Sequence, residues 1–273
     1  MVDKMKPFLK WAGGKYKLVP QLKKHFPKGK RFVEPFFGSG AVSLNVDYPS
    51  YRANDTNSTI VSLWQCIKDP KFIDYAETFF VPKNNKEATY YRFRKKYNEN
   101  LKSDPWAWET AALFIYLNKH GYNGLCRYNS KGEFNVPFGH KTKAPGFPRK
   151  ELTAAMKLAQ KMEISLGDFR IVFAGAKRGD VIYCDPPYVP LTDTASFTNY
   201  STGGFTLQDQ VDLADCARKA TLKGIVTIIS NHDTPFTRKL YSGAKIVELK
   251  VQRSIGCKGK SRIKEKEILA IFQ

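Results

Sequence analysis

The chain lacks the long apolar stretch of a membrane protein: no run approaches the ~20 residues that a span requires. The opening Met1-Val2-Asp3-Lys4-Met5-Lys6-Pro7 has no apolar core of a signal peptide. These absences argue against an integral membrane protein and a secreted one. Cysteine is sparse, with five residues (Cys66, Cys126, Cys184, Cys216 and Cys257) at wide spacings and no Cys-x-x-Cys pair. An odd, dispersed set is neither a disulfide framework nor a zinc site. Four histidines, His25, His120, His140 and His232, give a metal centre few candidates. A reduced, cytosolic chain without a metal is therefore expected. The phosphate-binding loop Gly-x4-Gly-Lys-Ser/Thr and the full dinucleotide fingerprint are also missing, which counts against ATP and NAD. No internal repeat or low-complexity linker interrupts the sequence.

Acidic residues are the minority, 25 against 45 Lys plus Arg, for a formal net charge of +20. Such a charge calls for a polyanionic partner, with nucleic acid and a membrane surface as the rivals. Surface binding predicts a basic amphipathic helix or a concentrated Lys tract, and neither stands out. The 14% aromatic content favours nucleic acid, because bases stack on rings. With 273 residues, 42% of them hydrophobic, the chain is long enough for one large α/β domain or a core domain with an insertion.

The order of signals is that of a doubly wound sheet. A short apolar strand, Arg31-Phe32-Val33-Glu34-Pro35, runs into Phe36-Phe37-Gly38-Ser39-Gly40, after which Ala41-Val42-Ser43-Leu44-Asn45 is expected to open a helix. A second strand, Tyr51-Arg52-Ala53-Asn54, ends at Asp55, and 57–67 has helical spacing. From about 68 to 146 the composition shifts to Lys, Arg, Tyr, Phe and Asn, with an apolar helix at 108–119 and a Gly/Asn/aromatic stretch at 121–139. Ser130-Lys131-Gly132 predicts a hairpin turn between two short strands. The α/β rhythm then resumes: helix 151–161, strand 163–166, buried strand Asp180–Cys184, helix 207–220, buried strand 224–230, and a terminal antiparallel pair, 245–251 with Glu267–Phe272. A basic connector (Arg253, Lys258, Lys260, Arg262, Lys264) joins that last pair. Near-continuous apolar strands suit a sheet covered on both faces.

Two motifs carry chemistry. Glycines after the first strand let a ligand approach the backbone, and an acid ending the next strand commonly accepts hydrogen bonds from a ribose. Asp185-Pro186-Pro187-Tyr188 follows a strand directly, at the carboxyl edge of the sheet, where open α/β folds bind ligands. The two prolines stiffen the backbone and remove two donors. That leaves acceptors, the Asp185 carboxylate and the Pro186 carbonyl, beside the flat face of Tyr188. An amine conjugated to an aromatic ring is a poor nucleophile because its lone pair is delocalised. Two acceptors gripping its N–H bonds favour a pyramidal nitrogen and free the lone pair, so alignment and charge stabilisation replace a strong base. The combination points to methyl transfer from S-adenosylmethionine to an exocyclic amine.

The chain resembles the Dam family of DNA adenine-N6 methyltransferases along nearly its whole length. The resemblance rests on Phe8-Leu9-Lys10-Trp11-Ala12-Gly13-Gly14-Lys15, on Glu34-Pro35-Phe36-Phe37-Gly38-Ser39-Gly40, on 121–139, on Asp185-Pro186-Pro187-Tyr188 and on Ile229-Ser230-Asn231-His232-Asp233. It implies a Rossmann-like S-adenosylmethionine-dependent methyltransferase fold: a mixed, mostly parallel α/β sheet with a terminal antiparallel hairpin. A catalytic domain, 1–57 and 146–273, is expected to carry an inserted, mainly helical target-recognition domain, 58–145, with a β-hairpin. It implies cofactor contacts from Trp11, Lys15, Phe36, Gly38, Gly40, Asp55, Asp168, Phe169 and Asp185, and catalysis by Asp185, Pro186, Pro187 and Tyr188. It implies a flipped-out adenine in a GATC target contacted by Lys10, Tyr122, Asn123, Leu125, Arg127 and Pro137. Arg127 is the candidate for bidentate pairing with guanine, and Leu125 for the thymine methyl. Arg92, Arg94, Lys95, Lys96 and the late connector would supply phosphate affinity. The implied setting is a monomer on double-stranded DNA in a bacterial or phage-infected cytoplasm, in replication-linked methylation or restriction-modification.

Some residues admit plainer roles. Trp11 also fits a core tryptophan, Lys15 a solvated surface lysine, and Asp168 the N-cap of the helix after it. Tyr122 and Leu125 also fit a small core under their loop, and Arg127 a phosphate contact. For the whole chain, N4-cytosine or RNA methylation, and a non-catalytic DNA-binding protein on the same fold, are the alternatives.

Overall fold

A computed structural model describes residues 4–189, 204–250 and 266–273. Among the described residues, seven strands form one sheet in the order β3-β2-β1-β4-β5-β7-β6: β1 (Arg31–Glu34), β2 (Ser50–Asp55), β3 (Met162–Leu166), β4 (Asp180–Cys184), β5 (Val226–His232), β6 (Lys245–Leu249) and β7 (Glu267–Phe272). β1 pairs in parallel with β2 and β4, and β4 with β5. β7 runs antiparallel to both β5 and β6. The chain winds outward from β1 and then returns to β4 on its other side. β1 and β4 therefore flank the switch point of the sheet, where such folds leave a crevice. β4 is buried at every position, as its unbroken apolar run requires.

The helices are α1 (Val19–Leu22), α2 (Ser58–Cys66), α3 (Pro70–Glu77), α4 (Glu87–Ser103), α5 (Trp108–His120), α6 (Arg149–Ala159), α7 (Phe169–Ala174), α8 (Leu207–Thr221) and α9 (Pro235–Leu240). Several starts follow from capping chemistry. Asn57 and Asp69 accept backbone N–H bonds at α2 and α3, and Thr206 closes a capping box with Asp209 at α8. Among the described residues no helix is long and apolar enough to cross a membrane.

The chain divides into two compact units. The first comprises Met1–Val19, Gly38–Asp47 and Asp55–Leu166; the second comprises Pro20–Phe37, Tyr48–Asn54 and Gly167–Gln273. In the first, α5 is buried on all sides and packs on α2, α3 and α4. In the second, Ile182, Cys184, Ile229 and Ile268 of the strands meet Leu213, Ala214 and Ala217 of α8.

Two sequence expectations change. The segment 41–45 forms only a short 3₁₀ turn, Ser43–Asn45, instead of opening a helix. The Asn45 side chain exchanges two 2.8 Å hydrogen bonds with the Met5 backbone, a long-range pairing that competes with helix continuation. The hairpin around Ser130-Lys131-Gly132 exists, but its strands reduce to the bridges Gly121↔Phe138 and Tyr128↔Phe134. Arg94, one of the residues expected to supply phosphate affinity, donates through one guanidinium nitrogen to the Val136 carbonyl at 3.0 Å and lies over the Tyr91 ring. The basic connector falls at 253–264, outside the described residues.

Candidate functional site

In the first unit the glycine turn and Asp55 form one hydrogen-bonded cradle. Gly38 and Gly40 both adopt positive φ, +51° and +66°, a conformation that glycine takes without a Cβ penalty. The Gly38 N–H donates to Asp55 Oδ2 at 2.8 Å, and the Asn57 N–H to Oδ1 at 2.9 Å. A Cβ on Gly38 would stand 2.8 Å from Nε1 of Trp11, so the half-buried indole edge lies directly on the glycine backbone. Burial pushes the Asp55 carboxyl above the usual range, and the amides of Gly38, Asn57 and Thr56 pull it back. A carboxylate offers roughly four acceptor positions, so this one retains capacity for a ligand hydroxyl. Lys15 is buried, and its ammonium donates to the Gly13 carbonyl at 3.0 Å. It is not a solvated surface lysine.

The recognition stretch also lies in this unit, fastened by one face of α4. Tyr90 and Arg94 donate to the Val136 carbonyl, Tyr97 meets Tyr128 hydroxyl to hydroxyl, and Asn98 brackets the Phe134 backbone. These positions recur at helical spacing. Strand-like alternation turns Phe134, Val136 and Phe138 inward and leaves Pro137 exposed. Tyr122 and Leu125 are 52% and 41% exposed, so neither builds a core under the loop. Asn123 holds a left-handed backbone, φ +51°. Arg127 is exposed, and its Nε donates to Asn135 Oδ1 at 2.8 Å. Lys10 joins this group through Asn118, a fully buried residue that sequence reasoning missed. Asn118 accepts from the Lys10 N–H at 3.0 Å and donates to the carbonyls of Lys10 and Gly124, at 2.8 and 3.1 Å.

In the second unit, Asp185-Pro186-Pro187-Tyr188 leaves the carboxyl end of β4 and is braced by buried polar side chains. Ser230 on β5 donates to Asp185 Oδ1 at 2.9 Å. Gln210 on α8 donates to the Pro187 carbonyl at 2.7 Å. Asn231 accepts the Val189 N–H at 3.1 Å and donates to Gln210 and to the Tyr241 hydroxyl. The Tyr188 hydroxyl donates to Glu267 on β7 at 3.0 Å, and its ring sits edge-on to His232, 4.9 Å between centroids. Burial, with the Asp185 charge second, raises the Tyr188 phenol well above its ordinary range, so it remains a donor. Ser230, Asn231 and Gln210 are fully buried; polar groups in such places are tolerated only when hydrogen-bonded. Among the described residues nothing donates to the Pro186 carbonyl.

Phe36 lies in the same unit and forms an aromatic trio with Phe169 and Phe205, with centroids 5.4–5.7 Å apart. Phe205 had no sequence signal, because nothing local ties it to the other two rings. Asp168 is the N-cap of α7: Oδ1 accepts from the Arg170 N–H at 2.8 Å and Oδ2 from its guanidinium at 2.9 Å. Among the described residues no cluster of His, Cys, Asp and Glu could hold a metal ion.

Residues 11–255 match the family described as D12 class N6 adenine-specific DNA methyltransferase. The chain is 46% identical over 274 residues to a DNA adenine methylase of Vibrio cholerae serotype O1, covering 99% of this chain and 97% of that one. It is 45% identical to the DNA adenine methylase of Escherichia coli strain K12, covering 100% and 97%. It is 41% identical to that of Serratia marcescens, covering all of both chains.

Proposed function

Since the chain belongs to the D12 class of N6 adenine-specific DNA methyltransferases, we propose that its target is the adenine of GATC in double-stranded DNA, extruded from the helix for reaction. The chain is a site-specific DNA methyltransferase acting on adenine N6. N4-cytosine, RNA and non-catalytic readings lose their support with that membership. The observation that carries the mechanism is the brace around Asp185-Pro186-Pro187-Tyr188, which holds two backbone groups, a carboxylate and a phenol ring at the end of β4.

S-adenosylmethionine, when bound, supplies an electrophilic methyl group. The Gly38 cradle fits such a ligand: its backbone is bare of a Cβ, Trp11 covers it, and Asp55 has acceptor capacity for ribose hydroxyls. Lys15, Gly40, Phe36, Asp168 and Phe169 are assigned to the same ligand. Lys15 suits the methionine carboxylate, and the rings suit its apolar parts. Asp168 enters with both oxygens already engaged by Arg170, so any bond to an adenine amine is additional to the cap.

The protein's own part in the reaction is to hold the target amine. The Asp185 carboxylate and the Pro186 carbonyl accept its two N–H bonds. Tyr188, fixed by Glu267, offers a face for the base to stack on. Pro187 stiffens the turn. No strong base is required, because the acceptors stabilise the charge that develops on nitrogen. The inserted segment, 58–145, serves as the recognition domain. Its exposed Tyr122, Asn123, Leu125, Arg127 and Pro137, with Lys10, read and brace the site, and the +20 charge supplies phosphate affinity. The enzyme acts as a monomer in a bacterial or phage-infected cytoplasm.

The test is labelled methyl transfer to duplexes carrying GATC or its single-base variants, with digestion to nucleosides. The wild-type chain should yield N6-methyladenine from GATC alone. Asp185→Ala should lose about 10³-fold or more in rate while still binding the duplex. Full activity of that variant would end the mechanism, and equal transfer to all duplexes would end the GATC assignment.

A further inference from the structure

Ile229-Ser230-Asn231-His232-Asp233 ends β5 beside the Asp185 turn. Its serine is an unusual choice for that position. Ile228 and Ile229 precede it, both fully buried, and Ser230 itself has no exposure. A hydroxyl there is costly unless it is bonded. The parallel register of β4 and β5 sets Tyr183 beside Ile228 and Cys184 beside Ile229, and one further step brings Asp185 level with Ser230. The two side chains meet at 2.9 Å.

The Ser230 hydroxyl has one proton and three oxygens in reach that can accept it: Asp185 Oδ1 at 2.9 Å, the Tyr183 hydroxyl at 3.2 Å and the Cys184 carbonyl at 3.3 Å. The carboxylate oxygen is the nearest and is the strongest acceptor. With the serine proton directed to Asp185, Tyr183 is the donor in its pair with Ser230. Burial lifts the Tyr183 phenol well above its ordinary range, which keeps that proton in place. The result is a directed chain of hydroxyls inside the sheet, Tyr183 to Ser230 to Asp185, made by residues of adjacent strands.

We propose that Ser230 is a positioning residue for methyl transfer, and that with Tyr183 behind it the serine pins Oδ1 of Asp185 so that the carboxylate meets the target amine in one orientation. The inference rests on Asp185 as the group that grips the amine. A carboxylate free to rotate about its last torsion samples many orientations, because terminal sp³–sp² torsions are broad. Fixing one oxygen from the side removes that freedom before the substrate arrives. Ser230 touches neither substrate nor methyl donor in this scheme; it acts through Asp185.

Single-turnover methylation of a GATC duplex, measured beside equilibrium binding of S-adenosylmethionine and of DNA, tests this. Ser230→Ala should slow the single-turnover rate about 10- to 100-fold while both affinities stay within about twofold. Ser230→Thr, which keeps the hydroxyl, should recover most of the rate. Tyr183→Phe should slow the reaction less. Combined with Ser230→Ala it should add little, because its effect passes through the serine. A wild-type rate for Ser230→Ala overturns the proposal. So does a rate loss matched by equal losses in cofactor affinity and thermal stability, since that is the signature of a structural serine. Should Ser230→Ala fail to fold, Tyr183→Phe decides alone: slower single turnover at unchanged affinities supports the chain, and an unchanged rate overturns it. Asp185→Ala is the control. If that variant keeps full activity, the underlying reading of Asp185 has failed and not merely the role of Ser230.

Discussion

Gly38→Ala is the sharpest perturbation of the cofactor cradle, because two separable costs meet there. The first is backbone: φ is +51°, and a residue with a Cβ in the left-handed region costs about 1–2 kcal/mol. The second is contact: the new methyl would lie 2.8 Å from Trp11 Nε1 and 3.1 Å from its Cδ1. An indole cannot swing its edge away as a flexible chain end would, so relief requires moving the ring or the turn, at about 1–3 kcal/mol. Gly243→Ala separates the two. Gly243 has φ +87° with nothing within 4 Å of its Cβ position, so it bears the backbone cost alone. Urea denaturation and S-adenosylmethionine titration of both variants are the assays. The expected result is that Gly38→Ala exceeds Gly243→Ala by about 1–3 kcal/mol, summed over lost stability and lost binding. If all of the excess falls on binding, it is roughly 5- to 150-fold in affinity. Matching stability and wild-type cofactor affinity in the two variants would refute the argument, since the Trp11 contact would then cost nothing.

Two further outcomes follow from buried polar groups in the first unit. His120 stacks on Tyr116, and burial, the largest influence, lowers its pKa to about 4; the nearby Lys141 lowers it further, and the hydrogen bond to the Tyr116 carbonyl works in the other direction. The unfolded chain takes up this proton near pH 6.5 and the native one only near 4. The stabilisation is therefore present above 6.5 and lost as the pH falls through that window, up to roughly 3 kcal/mol. Urea midpoints at pH 7.5 and 5 should show this loss in the wild type and a smaller one in His120→Gln; equal losses would exclude His120 as the source. Asn118→Leu leaves the Lys10 N–H and the Lys10 and Gly124 carbonyls without their partner, which should cost about 2–4 kcal/mol in denaturation. A change below about 0.5 kcal/mol, the range of ordinary surface substitutions, would show that water replaces those bonds.

What the linear sequence determined was the order of the parts. Apolar strands, a glycine turn, an acid at the end of the next strand and a proline-braced acceptor pair are each written in adjacent residues, and backbone preference makes them legible without a fold. The +20 charge and the family membership are likewise read directly from composition and order. Only the tertiary structure decided which polar groups hold that machinery. Ser230 reaches Asp185, Gln210 reaches Pro187 and Glu267 reaches Tyr188 across strands and a helix distant along the chain. Asn45 gives up a helix for Met5, and Arg94 turns to the Val136 carbonyl. A side chain's donors and acceptors name no partner in advance. Local periodicity says which face is buried, but the sheet register and helix packing settle what waits there to bond.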